Sequence, residues 1–358
     1  MISAKTFSEE HILLLQKRYK GIDPAIAEKM IYALSLVEQL AATGLPFVFK
    51  GGTSLVLLLN EPLRLSVDID IVCSESRQDI ESSLKQVCDD SHFLRWELDD
   101  HRSYRSGVPK AHYLIYYHPD FRDRENHIML DILFGASAYP KTIFIPIQTN
   151  WIVLDHEPIS VLVPSIESIV GDKLTAFAPL TTGILYESNK SIEILKQLFD
   201  LWNLYSRIND LEIVKDSFIA HATNEIQYRQ LENLTPDDVL RDSIKAGLLI
   251  ASRGVGLSTI ELKRYGVIQN GLSRMKGFLI GRSFRMDEAI TASSMVGLLA
   301  SKIFMNDMTK LPKYDSGFDI NNFTIDRDEY SYLNKRLRKL SGGALYYWHN
   351  AFNILENI

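Results

Sequence analysis

The sequence predicts an α+β protein, with a mixed-sheet domain over residues 1–163 and a mainly helical domain over 164–358. Three observations predict this. Short apolar runs with period-two alternation fill the first 160 residues, and apolar residues at helical spacing dominate after Pro164. A chain of 358 residues with 46% hydrophobic content also suits two cores better than one.

The elements follow in order. Asp23 and Pro24 read as the N-cap and first residue of a helix whose buried face carries Ile26, Met30, Leu34, Val37 and Ala41, before Gly44 stops it. Phe47-Val48-Phe49 is a short strand, Gly51-Gly52 a tight turn, and Thr53 opens a second helix that runs through Leu59 and is closed by Pro62. Ser66 to Cys73 alternates polar and β-branched residues as a half-buried strand does. A helix is expected between Asp79 and Val87, with strands at Tyr113–Tyr117, Ile128–Phe134, Phe144–Ile147 and Ile152–Leu154. After Pro164 come helical segments at Ser165–Ala178, Ser191–Ile208, Asp237–Ser252 and Glu288–Met305.

Composition excludes several classes. Cys73 and Cys88 are too few for a disulfide framework and have no zinc-finger partners, so they read as reduced packing residues of a cytoplasmic protein. No leader pattern or long apolar run predicts secretion or a membrane span. Nine histidines show no helical metal-ligand spacing, and no Gly-x-Ser-x-Gly elbow occurs, which argues against zinc and serine hydrolases. The formal net charge of −6 does not suggest general nucleic-acid binding, so any such contact is local. The best candidate is Lys263 to Arg285, which holds Lys263, Arg264, Arg274, Lys276, Arg282 and Arg285 and no acid; an ordinary solvated helical surface is the plainer reading. Tyr346-Tyr347-Trp348 is read as packing rather than base stacking.

The chemistry concentrates in the acids of the first domain. In Ser66-Val67-Asp68-Ile69-Asp70-Ile71-Val72, strand alternation puts both aspartates on one face with Cα atoms ~6.5 to 7 Å apart. Asp131 interrupts the apolar strand Ile128–Phe134. Three carboxylates of this kind suit Mg²⁺ (or Mn²⁺), which takes hard oxygen ligands and shares its shell with water and phosphate. Solvated edge-strand acids, or a turn-capping Asp131, are the structural alternatives. Gly51-Gly52 follows a strand and opens a helix, where backbone N–H groups and the hydroxyls of Thr53 and Ser54 are placed to take phosphate oxygens. This is not a Walker A loop, since Lys50 precedes the glycines.

Lys50-Gly51-Gly52-Thr53-Ser54-Leu55, followed by Arg64-Leu65-Ser66-Val67-Asp68-Ile69-Asp70, resembles the first motif of the AbiEii/AbiGii toxin family of nucleotidyltransferases. Leu130-Asp131-Ile132, Gly171-Asp172-Lys173-Leu174-Thr175-Ala176 and Phe199-Asp200-Leu201 are similar to its later motifs, so the likeness spans roughly residues 46–205. Lys196-Gln197-Leu198-Phe199 departs from the basic residues that often precede the last aspartate. The resemblance implies a polymerase-β-like core, Mg²⁺, an NTP substrate and a toxin–antitoxin or phage-defence role with a cognate antitoxin. It further implies an RNA acceptor, with the tRNA 3′ end as the leading case.

On that reading Asp68 and Asp70 hold metal, and Asp131 holds metal and helps activate the acceptor hydroxyl. Lys173 neutralises the leaving phosphates, Asp200 orients Lys173 or the hydroxyl, and Arg64 and Ser66 brace the loop or touch phosphate. The plainer alternatives are a surface lysine and a surface acid on amphipathic helices. Nucleotidylation of a protein or small molecule, and a catalytically silent nucleotide-binding module, are the rival functions.

Overall fold

The computed structural model describes residues 1–59, 62–103, 107–119, 124–340 and 342–355. The chain divides into two compact units, Met1–Ser165 with Gly277–Arg282, and Ile166–Lys276 with Ser283–Ile358.

The first unit is built on seven strands: β1 (Val48–Lys50), β2 (Ile69–Cys73), β3 (Phe93–Leu98), β4 (Lys110–Tyr117), β5 (Asn126–Phe134), β6 (Thr142–Pro146) and β7 (Ser160–Pro164). Their order across the sheet is β3-β4-β5-β2-β1-β7-β6. The β2/β5 and β1/β7 pairs are parallel and the others antiparallel, so the sheet is mixed. Helices α1 (Glu9–Arg18), α2 (Pro24–Ala42), α3 (Gly51–Leu58), α4 (Arg77–Asp90) and the single turn α5 (Asp100–Ser103) complete the unit.

Sequence chemistry sets the helix ends. The Asp23 side chain accepts from the Ala25 amide at 2.9 Å, with Pro24 in the first turn of α2. Ser76 and Asp79 form a reciprocal capping box on α4. Period-two alternation then divides the sheet. Phe49, Ile69, Ile71, Leu130 and Ile132 are buried in one core with Met30, Leu34 and Val37 of α2 and Ile80 and Leu84 of α4. A small second cluster of Val48, Val72 and Tyr139, flanked by Leu133 and Leu162, groups the alternate positions.

Two expected strands differ in the structure. The segment before Ile69 does not pair as a strand, because the Thr53 hydroxyl takes the Asp68 carbonyl at 2.6 Å. Ile152–Leu154 forms no strand but is held by the N-terminal segment. Ser3 N donates to Val153 O at 2.8 Å, Val153 N donates to Thr6 Oγ1 at 2.9 Å, and Leu154 makes only an isolated bridge to Ile2. Cys73 and Cys88 are free thiols, and burial pushes both up from the ordinary thiol range.

The second unit is helical: α6 (Ile166–Ala176), α7 (Ser191–Tyr205), α8 (Leu211–Tyr228), α9 (Pro236–Ala251), α10 (Thr259–Met275), α11 (Met286–Phe304), α12 (Tyr332–Leu337) and α13 (Ala344–Leu355). Trp348 of α13 is fully buried against α11, where a Cβ on Gly297 would overlap its ring, so a glycine there is what admits the indole. This accounts for the aromatic stretch 346–348 as packing. No helix among the described residues is long and apolar enough to cross a membrane.

Candidate active site

The sheet brings two of the three sequence-predicted acids, Asp70 and Asp131, together through register. Asp70 of β2 pairs with Asp131 of β5 on one side and with Lys50 of β1 on the other. Paired residues on neighbouring strands point to the same face, so Lys50, Asp70 and Asp131 form one row across it. His112 of β4 extends the row, pairing with Asp131. Its Nδ1 lies 2.5 Å from Asp131 Oδ1, and its Nε2 is buried with no hydrogen-bond partner among the described residues. The Asp131 side chain stays 26% exposed beside this bond, so the carboxylate remains open to a substrate. Two residues further along the strands, on the same face, the row gives way to Val48, Val72 and Leu133, an apolar border beside the charged groups.

The glycine turn is fitted to this row. Gly51 has φ +79°, which L side chains rarely adopt, and a Cβ there would overlap the Asp70 carboxylate. A Cβ on Gly52 would come 2.5 Å from Arg64 Nη2 and 2.8 Å from Ser66 Oγ. The two glycines therefore admit Asp70 on one side and the Arg64–Ser66 segment on the other. Lys50 as N-cap makes no side-chain hydrogen bond to the first amides of α3. Thr53 and Ser54 are fully buried, and their hydroxyls serve the turn's own backbone, donating to Asp68 O at 2.6 Å and to Gly51 O at 2.9 Å. These two hydroxyls are therefore already engaged, and the first amides of α3 are the turn's remaining donors.

Arg64 is 7% exposed, and its Nη1 donates to Leu65 O at 3.2 Å. Its segment is pinned by the 277–282 strap, with Leu65 N donating to Phe278 O at 2.7 Å and Ile280 N to Leu63 O at 3.1 Å. The basic run from Lys263 to Arg285 is divided between the two units: Gly277–Arg282 belongs to the first and the residues on either side to the second.

Asp68 occupies a different setting from Asp70. It lies ahead of β2, and the field of Lys29 on α2 acts on it; burial pushes the Lys29 ammonium down, opposed by the attraction of Asp68. Lys29 and His112 are the residues that the sequence reading missed. His112 lies one residue before the expected start of its strand, and extending the alternation of Leu114 and Tyr116 back by two would have put it on the acid face. Nothing in the sequence connects Lys29 with Asp68.

Among the described residues no group of three or more His, Cys, Asp or Glu side chains forms a ready-made cage for a metal ion. The donor chemistry nevertheless fits Mg²⁺. Its shell needs only one or two protein carboxylates when a triphosphate and water supply the rest. Adjacent hard oxygen donors at Asp70 and Asp131, with a glycine where a side chain would fill the space, meet that requirement.

In the second unit, Lys173 of α6 and Asp200 of α7 form a buried ion pair, Nζ to Oδ2 2.6 Å, with side chains 6% and 3% exposed. Gln197 Oε1 accepts from the same ammonium at 3.4 Å. Both residues thus lie in the interior rather than on a helix surface.

The family model for the nucleotidyl transferase AbiEii toxin, type IV toxin–antitoxin system, matches residues 35–249. No curated protein matches the sequence. Among solved structures, JHP933 from Helicobacter pylori is 15% identical with a TM-score of 0.43, over 80% of this chain and 94% of its own. A candidate nucleotidyltransferase from the same organism is 16% identical with a TM-score of 0.43, over 80% of this chain and 97% of its own.

Proposed function

Because the chain belongs to the AbiEii nucleotidyl transferase toxin family of type IV toxin–antitoxin systems, we propose that it transfers a nucleoside monophosphate from an NTP to a hydroxyl of RNA, with the tRNA 3′ end as acceptor. Nucleotidyl transfer and an antitoxin partner come with the family. The acceptor, the metal and the residue roles are this proposal's own.

One observation carries it: Asp70 and Asp131 stand at paired positions on adjacent strands, beside a glycine whose missing side chain makes room for the Asp70 carboxylate. Two like charges so close disfavour one another unless cationic partners offset them. Asp70 and Asp131, with Asp68 behind them, would hold Mg²⁺, which when bound supplies positive charge to the reacting phosphates. The amides at the start of α3, from Gly51 and Gly52, take oxygens of the triphosphate. The acceptor hydroxyl attacks the α-phosphorus, the bond from that phosphorus to the bridging oxygen breaks, and pyrophosphate leaves. Asp131 receives the hydroxyl proton. The His112 bond fixes which oxygen of Asp131 faces the substrate, since Oδ1 is engaged at 2.5 Å.

The test is incubation with labelled NTPs, Mg²⁺ and total RNA, for the wild type and for Asp70→Asn and Asp131→Asn. Label in RNA from the wild type, lost in both variants, is the expected result. Transfer that persists in both variants refutes the site. Label that resists RNase and yields to protease refutes the RNA acceptor while leaving the site in place.

A further inference from the structure

The second unit contains a cavity of about 470 Å³ that the nucleotidyl-transfer site does not use. It is bordered by α9, α10, the loop between them and the segment around Tyr330 and Tyr332. Its polar lining is unusual. Asp242 is 4% exposed and Tyr186 5% exposed, yet Asp242 Oδ1 and the Tyr186 hydroxyl have no hydrogen-bond partner among the described residues. The same is true of Arg264 Nε, whose guanidinium lies 5.8 Å from the Tyr186 ring centroid. A buried polar atom left unsatisfied costs roughly 1 to 3 kcal/mol. Three around one cavity indicate groups kept for a ligand.

Asp242 also has a structural task, but that task occupies its other oxygen. Oδ2 accepts from Leu180 N at 2.7 Å and from Thr181 Oγ1 at 2.9 Å, which locks the carboxylate's orientation. Oδ1 is thereby left as a fixed acceptor. Arg264 Nε offers a donor, and the Tyr186 hydroxyl offers either. The aromatic rings of Tyr186, Tyr330 and Tyr332 and the side chain of Leu248 complete an apolar frame.

We infer that this cavity binds a nucleobase. A base edge carries a ring or exocyclic N–H beside a ring nitrogen or carbonyl, which suits an acceptor such as Asp242 Oδ1 and a donor such as Arg264 Nε on residues of one lining. Its faces suit tyrosine rings, which stack any base. The lining mixes Lys245 and Arg264 with Asp242, Glu261 and Glu329, so it is matched by a neutral group that both donates and accepts rather than by a simple anion or a simple cation. The base arrives either as a free nucleotide or as an unpaired nucleotide of RNA. The inference rests on no part of the proposed transfer reaction.

The test is calorimetry on the full-length protein in EDTA, which withholds metal from the transfer site. The probes are ribonucleoside monophosphates and, separately, a short single-stranded RNA. Binding of the mononucleotides identifies the free source, and binding of the oligonucleotide alone identifies RNA; either supports the inference if the variants weaken it. Asp242→Asn keeps an oxygen for Leu180 and Thr181 but turns the free acceptor into a donor, and is expected to weaken binding at least tenfold. Arg264→Met, on a partly exposed residue, is expected to do the same and guards against a folding defect in the first variant. Absence of binding by both probes at millimolar concentration, or binding unchanged in both variants, overturns the inference. So does a site that takes amino acids and refuses nucleotides.

Discussion

Gly51→Ala tests the geometry of the acid row more sharply than removal of an acid. At φ +79° an alanine pays the left-handed backbone penalty, roughly 1 to 2 kcal/mol. Its Cβ would also overlap Asp70 Oδ2 and sit 3.0 Å from Cγ and 3.1 Å from Cβ of the same residue. Three atoms of one side chain are crowded, two of them close to the backbone, so rotating the carboxylate tip does not relieve the contact. Asp70 or the turn must shift by some tenths of an ångström, and an error of that order at a reacting centre costs up to about 100-fold in rate.

Gly44→Ala is the matched control. Its φ is +81° and nothing lies within 4 Å of a Cβ built there, so it carries the backbone strain without the collision. Thermal unfolding should show Gly44→Ala destabilised by ~1 to 2 kcal/mol and Gly51→Ala by more, since only the latter adds the overlap with Asp70. Initial rates of labelled-NTP transfer should fall at least tenfold in Gly51→Ala and stay within twofold of wild type in Gly44→Ala. Equal rates in Gly51→Ala and wild type, or equal losses in the two variants, would refute the assignment of Asp70 to the reacting centre.

His112→Ala should lower the transfer rate by roughly 10- to 100-fold, with the KM for NTP changed less than threefold, because Asp131 loses the group that orients it; a change confined to KM would contradict this. Asp200→Leu leaves the Lys173 ammonium buried without its carboxylate and should cost about 3 to 5 kcal/mol in urea unfolding, most of it recovered in the Lys173→Met/Asp200→Leu double variant. A single-variant cost below 1 kcal/mol would show that the pair is not desolvated, and wild-type transfer by the stable double variant would exclude a catalytic role for either residue. The carboxyl of Asp242 is pushed up to about 6 by burial, against the opposing hydrogen bonds from Leu180 and Thr181. Its folded pKa lies above the unfolded value, so its contribution is fully present below about pH 4 and is lost as pH rises through 6. Asp242→Asn should therefore be more stable than wild type at pH 8, by at most about 3 kcal/mol at 1.4 kcal/mol per pKa unit, with the gap closing toward pH 4; a gap that widens on acidification would reverse the sign of the argument.

Period-two alternation made Ile69 and Ile71 readable as core and Asp70 as a member of the opposite face, while Asp131 stood out as the one carboxylate in the apolar strand Ile128–Phe134. The mixed α+β fold followed from the same pattern. The register that puts Asp70 beside Asp131 was not readable, because a parallel pair 61 residues apart is set by packing of both strands under α2 and α4 rather than by any turn between them. Helix α8 was not among the expected segments, and α10, which begins with a Ser258–Glu261 capping box, was expected only as the helical surface that is the plainer reading of its basic residues. Arg264 itself points its Nε into the interior rather than to solvent, which no charge count reveals.

The Asp-x-Asp motif shows where local pattern ends and tertiary context begins. In sequence its two carboxylates are equivalent, two residues apart on one notional strand. In the fold only Asp70 enters the ladder, where it meets Lys50, Asp131 and the space left by Gly51. Asp68 stays ahead of it, its carbonyl taken by Thr53 and its carboxylate in the field of Lys29. Lys29→Met separates the two roles. It leaves the Asp70–Asp131 pairing untouched but removes the positive charge that attracts Asp68. If Asp68 works as a carboxylate, the transfer rate should fall in Lys29→Met and stay close to wild type in a Lys29→Arg variant. Transfer unchanged in Lys29→Met would mean that the charge beside Asp68 does not limit the reaction, leaving Asp70 and Asp131 as the working pair.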